Sequence, residues 1–296
     1  MQTREIVAKF IHPEDERARR HLETIPGFSS AVKTFLKIGA ERMMHGLSMA
    51  SKIRLGPNQL PDLYGRLEPI CRRMGIAVPE FYLEMNPVPN AYTMGDTRLF
   101  ITVTSGLIEY METDELDAVL AHECGHIACR HVLYHTMAGL LLQGSKASGL
   151  TSALTTPMKY ALLYWQRRSE LSADRAAAAA LGSSAPVIET MIRLSGGPKA
   201  ITEAVNVDAY AEQANAYDAL FESTWDSVLQ SLLVMNLTHP FAAVRVREIK
   251  HWAGGDAFAA LANALQQNER LLFCSSCGGS TASNWRFCEH CGVRLN

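Results

Sequence analysis

Long apolar runs are what this 296-residue chain lacks. No stretch reaches the roughly 18 consecutive apolar residues that a helix needs to cross a membrane. The least charged region, 132–166, still holds Lys146 and Lys159, and its apolar Gly139-Leu140-Leu141-Leu142 is followed at once by Gln143, Gly144, Ser145 and Lys146. A secretion signal is missing too: Met1 to Phe10 carries charge of both signs, and no apolar core follows. The expectation is a soluble, cytoplasmic protein. The alternative is that 136–163 lies on a membrane surface, giving membrane association, or forms a flap over a cleft. Excess charge of one sign is absent, with 28 Lys and Arg against 30 Asp and Glu. That balance argues against a nucleic-acid-binding surface. There is no internal repeat and no low-complexity tract. Cysteine is sparse through most of the chain. Cys71, Cys124 and Cys129 are scattered and read as reduced core or helix residues.

The remaining four cysteines are concentrated at the C-terminal end. Cys274-x2-Cys277, ten residues, then Cys288-x2-Cys291 is the arrangement of a zinc ribbon. Each knuckle offers two thiolates to a closed tetrahedral structural site, and Gly278 and Gly292 follow where the chain must turn. So short a segment cannot bury a core, so metal supplies its folding energy. Two disulfides are the weaker reading without an export signal. His290 lies in the second knuckle, but four cysteines already fill the site.

A second metal motif lies upstream, at His122-Glu123-Cys124-Gly125-His126. Residues four apart share one helix face, so two imidazoles so placed can hold one zinc. The glutamate between them can take a proton from a zinc-activated water. Two surface histidines on an ordinary helix are the bland alternative, and the context weighs against it. Thr113 reads as an N-cap, with Asp114 and Glu115 in a first turn where the helix dipole favours negative charge. Leu116, Val119 and Leu120 recur at helical spacing, which places the motif on a partly buried helix. Gly125 costs about 1 kcal/mol there relative to alanine, which suits a close backbone approach. Catalytic zinc needs a third protein ligand. Glu170 and Asp174 share a helix face, so one can ligate and the other can fix a ligand histidine's tautomer. Their bland alternative is a solvated face paired with Arg167 or Arg168. The alanine run 176–180 that follows suits close helix packing.

Asn90-Ala91-Tyr92, the His122–His126 motif, Glu170-Leu171-Ser172-Ala173-Asp174, and His239-Pro240 with Arg245 occur in this order. Together they make roughly residues 60–252 resemble the HtpX and CAAX prenyl protease type of zinc metallopeptidase, gluzincins of peptidase family M48. The resemblance implies zinc on His122, His126 and Glu170, Glu123 as general base, and Asp174 behind a ligand histidine. It also implies that His239 stabilises the oxyanion, with Arg245 as a supporting charge. The best-known members carry several membrane-spanning helices, and this chain departs from them there.

The rest is scaffold. Helices are predicted over 14–24, 31–54 and about 60–74, with a strand at Phe81–Met85. Tyr92-Thr93 and Leu99–Thr104 form a hairpin turning at Gly95-Asp96. A substrate peptide can add to the edge strand at Asn90, Ala91 and Tyr92. Residues 207–237 read as an amphipathic helix with Tyr210, Tyr217, Leu220, Phe221, Trp225, Leu229, Leu232 and Leu233 on its core face. The predicted organisation is an N-terminal helical segment (1–56), a metallopeptidase domain (57–255), a helical linker (256–270) and the ribbon (271–296). The fold class is α+β, mainly helical: a zincin-like domain with a small sheet, plus the ribbon. The expected function is a zinc endopeptidase with one catalytic and one structural zinc. Its partners are a peptide or protein substrate and, through the ribbon, a protein. The alternative is a zinc-ribbon adaptor on a silent peptidase scaffold, against which the intact Glu123 speaks.

Overall fold

The computed structural model describes residues 2–37, 39–142, 154–220 and 241–268, and in the tail 272–273, 276, 280–281, 286–288 and 291–294. Four helices come first: α1 (Gln2–Phe10), α2 (Pro13–Thr24), α3 (Phe28–Lys37) and α4 (Ala40–Ser51). The helix predicted over 31–54 is therefore two, α3 and α4, separated at the left-handed Gly39. Its last residues form strand β1 (Ile53–Arg54) instead. Short helices α5 (Pro61–Gly65) and α6 (Leu67–Met74) follow.

The sheet contains β1, β2 (Glu80–Glu84), β3 (Ala91–Met94) and β4 (Phe100–Thr104), in the order β1-β2-β4-β3. β3 and β4 form the predicted hairpin, with Tyr92 opposite Thr102. β2 runs parallel to β4, with Phe81 opposite Ile101. Alternation in the sequence marks a strand but not its partner, so this pairing was not predictable. β2 stops one residue early, since Met85 is exposed. β3 is left as a sheet edge.

After α7 (Ser105–Tyr110) comes α8 (Thr113–Ala128), which carries the His-Glu motif. Its N-cap is Glu112 rather than the predicted Thr113. Glu112 and Glu115 form a reciprocal capping box, in which the Glu112 backbone N–H donates to Glu115 Oε2 at 2.8 Å. α9 (Val132–Leu142) and α10 (Thr156–Leu181) follow. α10 lies along α8 and presents the alanine run 176–180, wholly buried. At Gly125 a Cβ would come within 3.0 Å of both the Ala173 carbonyl oxygen and the Ala176 Cβ. The glycine is thus where α8 meets α10. We expect Gly125→Ala to push the helices apart and cost about 1–3 kcal/mol. Thermal unfolding checks this; an unchanged melting temperature would mean the contact relaxes freely.

α11 (Ala185–Gly196), α12 (Lys199–Thr202), α13 (Val207–Ala219), α14 (Ala242–Ala253) and α15 (Asp256–Asn268) complete the helical layer. On α13, Ala211 and Ala214 are buried and Leu220 just beyond it is exposed, so Leu220 does not belong to a core face. Phe221, Trp225, Leu229, Leu232 and Leu233 lie outside the described residues. α15 buries Leu261 and Leu265 in the core, and Gln266 Nε2 donates to the Ala180 carbonyl at 3.2 Å. In the tail, Leu272–Phe273 pairs antiparallel with Ser280–Thr281.

One core cluster joins the sheet to α6, α8, α10, α11, α14 and α15. A second joins α2, α3, α9 and the first half of α10 to Tyr82 and Phe100. The N-terminal helices thus pack directly against the motif-bearing layer. His12 Nε2, at the start of α2, lies 3.6 Å from Glu248 Oε2 on α14, and Arg247 Nη2 lies 3.1 Å from the other oxygen. The His12 hydrogen bond, with Arg247, draws the Glu248 pKa down to about 2. The folded-state pKa is therefore below the unfolded value of about 4.3. Its stabilisation is complete above that value and is lost as pH falls through 2. We expect Glu248→Gln to flatten this part of the stability–pH curve, read as denaturant midpoints across pH 2–5. An unaltered curve would remove Glu248 from acid unfolding.

Candidate active site

Five helical positions converge below the sheet edge. α8 presents His122, Glu123 and His126, and α10 presents Glu170 and Asp174, all buried. His122 Nε2 and His126 Nε2 are 3.1 Å apart. They lie 3.3 and 3.4 Å from Glu170 Oε2 and Oε1. A tetrahedral zinc with bonds of about 2.0–2.1 Å sets neighbouring ligand atoms ~3.3 Å apart. The three side chains therefore fit that ion in number, donor chemistry and spacing.

Behind them is a carboxylate–guanidinium pair. Asp174 Oδ1 accepts from His122 Nδ1 at 2.9 Å. With a metal on Nε2, that bond would hold the remaining ring proton on Nδ1. Arg245, buried on α14, donates from Nε and Nη2 to Asp174 at 2.8 and 2.6 Å. Its Nη1 lies 3.2 Å from Glu170 Oε2. Burial raises the Asp174 pKa, but Arg245 and His122 bring it below the usual carboxylate range. Burial works against a charged His122, yet Asp174 and Glu170 push its pKa up to about 10. Surroundings that stabilise an imidazolium also stabilise a divalent cation. His126, whose Nδ1 faces His131, is held below its usual value by burial.

Glu123 faces the sheet edge. Thr93 on β3 donates its hydroxyl to Glu123 Oε2 at 2.6 Å. Two cavities of about 270 and 340 Å³ flank this contact, and Asn90, Ala91 and Glu123 line both. The first is mainly apolar, walled by Leu107, Val119, Val187, Met191 and Leu194. The second holds Tyr92, His126, His135 and Glu170. Tyr92 donates its hydroxyl to Glu84 at 2.6 Å, and burial with this carboxylate raises its pKa. Cys124 Sγ lies 3.7 Å from Cys71 Sγ in the core. That contact and burial push its thiol well above the ordinary range, which suits a packing residue rather than a nucleophile.

Sequence reasoning missed Thr93, and also His131 and Asp15, which lie behind His126: His131 Nδ1 is 3.0 Å from His126 Nδ1, and its Nε2 is 3.0 Å from Asp15 Oδ2. His131 follows the motif by five residues, a spacing that no simple helix rule marks. Asp15 sits in Pro13-Glu14-Asp15-Glu16-Arg17 and looks like any acidic first turn. His239, Cys274 and Cys277 lie outside the described residues. Cys288 is buried and Cys291 exposed. Gly292, with a φ of 73°, lets its N–H return to the Cys288 carbonyl at 2.8 Å.

The model of Peptidase family M48 matches residues 57–253. The plastoglobule-localized metallopeptidase 48, chloroplastic, of Arabidopsis thaliana is 34% identical over 247 residues, 82% of this chain and 72% of that protein. A protease HtpX homolog of Acaryochloris marina is 27% identical over 180 residues, 54% of this chain and 59% of its own length. That of Sulfurihydrogenibium sp. is 36% identical over 85 residues, 28% of this chain and 29% of its own length. The chain thus spans less than two thirds of these two bacterial relatives. No helix among the described residues is long and apolar enough to cross a membrane. Because the family match takes in β2 to α14 and every buried group around His122 and His126 except the N-terminal Asp15, the chain belongs to peptidase family M48.

Proposed function

We propose that this chain is a zinc-dependent endopeptidase. The observation that carries the reading is the convergence of His122, His126 and Glu170 beside Glu123 and β3, an edge strand among the described residues. A zinc ion held by those three residues would supply a Lewis acid that lowers the pKa of water to about 7 and polarises a carbonyl. The chain's own residues do the rest. β3 binds the substrate backbone as an added strand, so that a scissile carbonyl passes Glu123. Glu123 takes a proton from the attacking water as oxygen bonds to the carbonyl carbon. It then returns that proton to the amide nitrogen as the C–N bond breaks, so one water is consumed per bond cleaved. Thr93, bonded to one oxygen of Glu123, leaves the other free to face the water. Asp174 keeps His122 in its ligating tautomer. Arg245 spends its charge on Asp174 and Glu170, and we assign it to holding the ligands rather than to the oxyanion. His239 retains the oxyanion role that the resemblance implies.

The tail is read as a second, structural zinc site on Cys274, Cys277, Cys288 and Cys291. The tight turn at Cys288–Val293 supports this. A rigid closed site of that kind suits a protein partner or substrate. Association with a membrane surface is a further proposal for location; the Arabidopsis relative's name places that protein at plastoglobules.

Digestion of a peptide library by the zinc-loaded full chain, with and without chelator, tests the reading. We expect internal cleavage that chelation abolishes and zinc restores. The apolar cavity beside His122 leads us to expect a large apolar side chain next to the cleaved bond. Zinc binding without cleavage of any peptide would favour the adaptor reading. Cleavage with no side-chain preference would remove that cavity from specificity.

A further inference from the structure

His122 is backed by a carboxylate, and His126 is not, at least directly. His126 Nδ1 instead faces a third imidazole, with His131 Nδ1 at 3.0 Å. Two ring nitrogens at that distance share one proton, so one must donate and the other accept. His126 offers its Nε2 lone pair on the Glu170 side, so its proton sits on Nδ1. His131 then accepts at Nδ1 and carries its own proton on Nε2. That nitrogen lies 3.0 Å from Asp15 Oδ2. Asp15 is itself fixed: Trp165 Nε1 donates to its Oδ1 at 2.9 Å, and Ser172 Oγ donates to its Oδ2. Ser172 in turn accepts from the His12 backbone N–H at 2.9 Å, which pins the start of α2 to α10. Asp15 and His131 are 2% and 1% exposed, so water does not compete for these bonds.

We propose that Asp15 and His131 are positioning residues that hold His126 in its metal-ligating tautomer, giving both ligand histidines a carboxylate behind them. His122 reaches its carboxylate directly, and His126 reaches one through an intervening imidazole. The N-terminal helix α2, outside the residues that match the family model, thereby contributes to metal retention. The inference rests on the reading of His126 as a zinc ligand, and the test separates the two. The direction of the relay is fixed: donor His126, acceptor and donor His131, acceptor Asp15. A substitution at either outer member should therefore act through the tautomer of the middle one. Ligand-backing partners of this kind typically change metal affinity by about 10–100-fold when removed.

The experiment is histidine-selective 15N NMR of the full chain, titrated with buffered zinc alone. The Nε2 resonance of His126 reports this site and no thiolate site. For the native chain we expect His126 Nε2 to shift on zinc binding and His131 to carry its proton on Nε2. Asp15→Asn and His131→Leu should weaken zinc binding at His126 by about 10–100-fold. His131→Gln, whose amide accepts and donates in the same order, should recover part of the loss, which a merely structural role would not produce. If His126 responds to zinc but Asp15→Asn changes neither its affinity nor the His131 tautomer, the relay is overturned and the site stands. A His131 proton on Nδ1 overturns the relay as well. If His126 does not respond to zinc at all, the ligand reading fails, and the relay with it.

Discussion

Glu123→Gln should leave a folded, zinc-loaded protein that hydrolyses peptides at least about a hundredfold more slowly. Positioned proton transfer contributes about 10²–10⁴-fold to such reactions. The substitution keeps the shape of the side chain and leaves His122, His126 and Glu170 untouched. Glutamine still accepts the Thr93 hydroxyl through its amide oxygen, so the packing at β3 is preserved. What it cannot do is take a proton. Zinc content by elemental analysis, alongside turnover of a peptide identified from the library, checks the expectation. Near-native turnover would remove Glu123 from the mechanism, and lost zinc would show that its charge serves the site and not the proton transfer.

The second large effect concerns the two carboxylates of α10. Glu170→Ala should strip zinc from the histidine site and leave the zinc of the tail in place. Asp174→Asn should keep the fold and weaken zinc by about 10–100-fold, since the amide oxygen can still accept from His122 but carries no charge. Asp174→Ala is harsher. Arg245 is buried, and its Nε and Nη2 bonds both end on Asp174. Removing one partner of a buried ion pair costs roughly 3–5 kcal/mol, so this variant should also melt well below the native chain. Zinc per chain and thermal unfolding separate the cases. If Asp174→Ala removes the metal while Glu170→Ala does not, the two roles are exchanged.

What the residues foretold was local. The four-residue spacings of His122 with His126 and of Glu170 with Asp174 each put two groups on one helix face, and geometry within a helix does not depend on its neighbours. The hairpin at Gly95 and the alanine run were legible for the same reason. What was not foretold depends on packing between distant segments. The parallel partnership of β2 with β4 joins strands separated by β3, and no period in either strand specifies it. Asp15 carries the same signal as Glu14 and Glu16, both favoured by the helix dipole. Only α10 lying across that turn makes it a buried acceptor. The cap of α8 was misplaced by one residue because threonine outranks glutamate as a cap, while the reciprocal bond to Glu115 reverses that preference here.

The carboxylate that closes on His131 comes from residue 15, and the guanidinium that closes on Asp174 comes from residue 245. Partners separated by 116 and 71 positions meet only after residues 131 and 245, respectively, have been made and the chain between the partners has collapsed. Contacts of such long range form late, because the entropy of closing large loops must first be overcome. A chain still leaving the ribosome, or one caught part-way to the native state, therefore has the motif helix without its supports. On the proposed mechanism, we expect hydrolytic capacity to appear only after residue 245 has been made and has packed against Asp174.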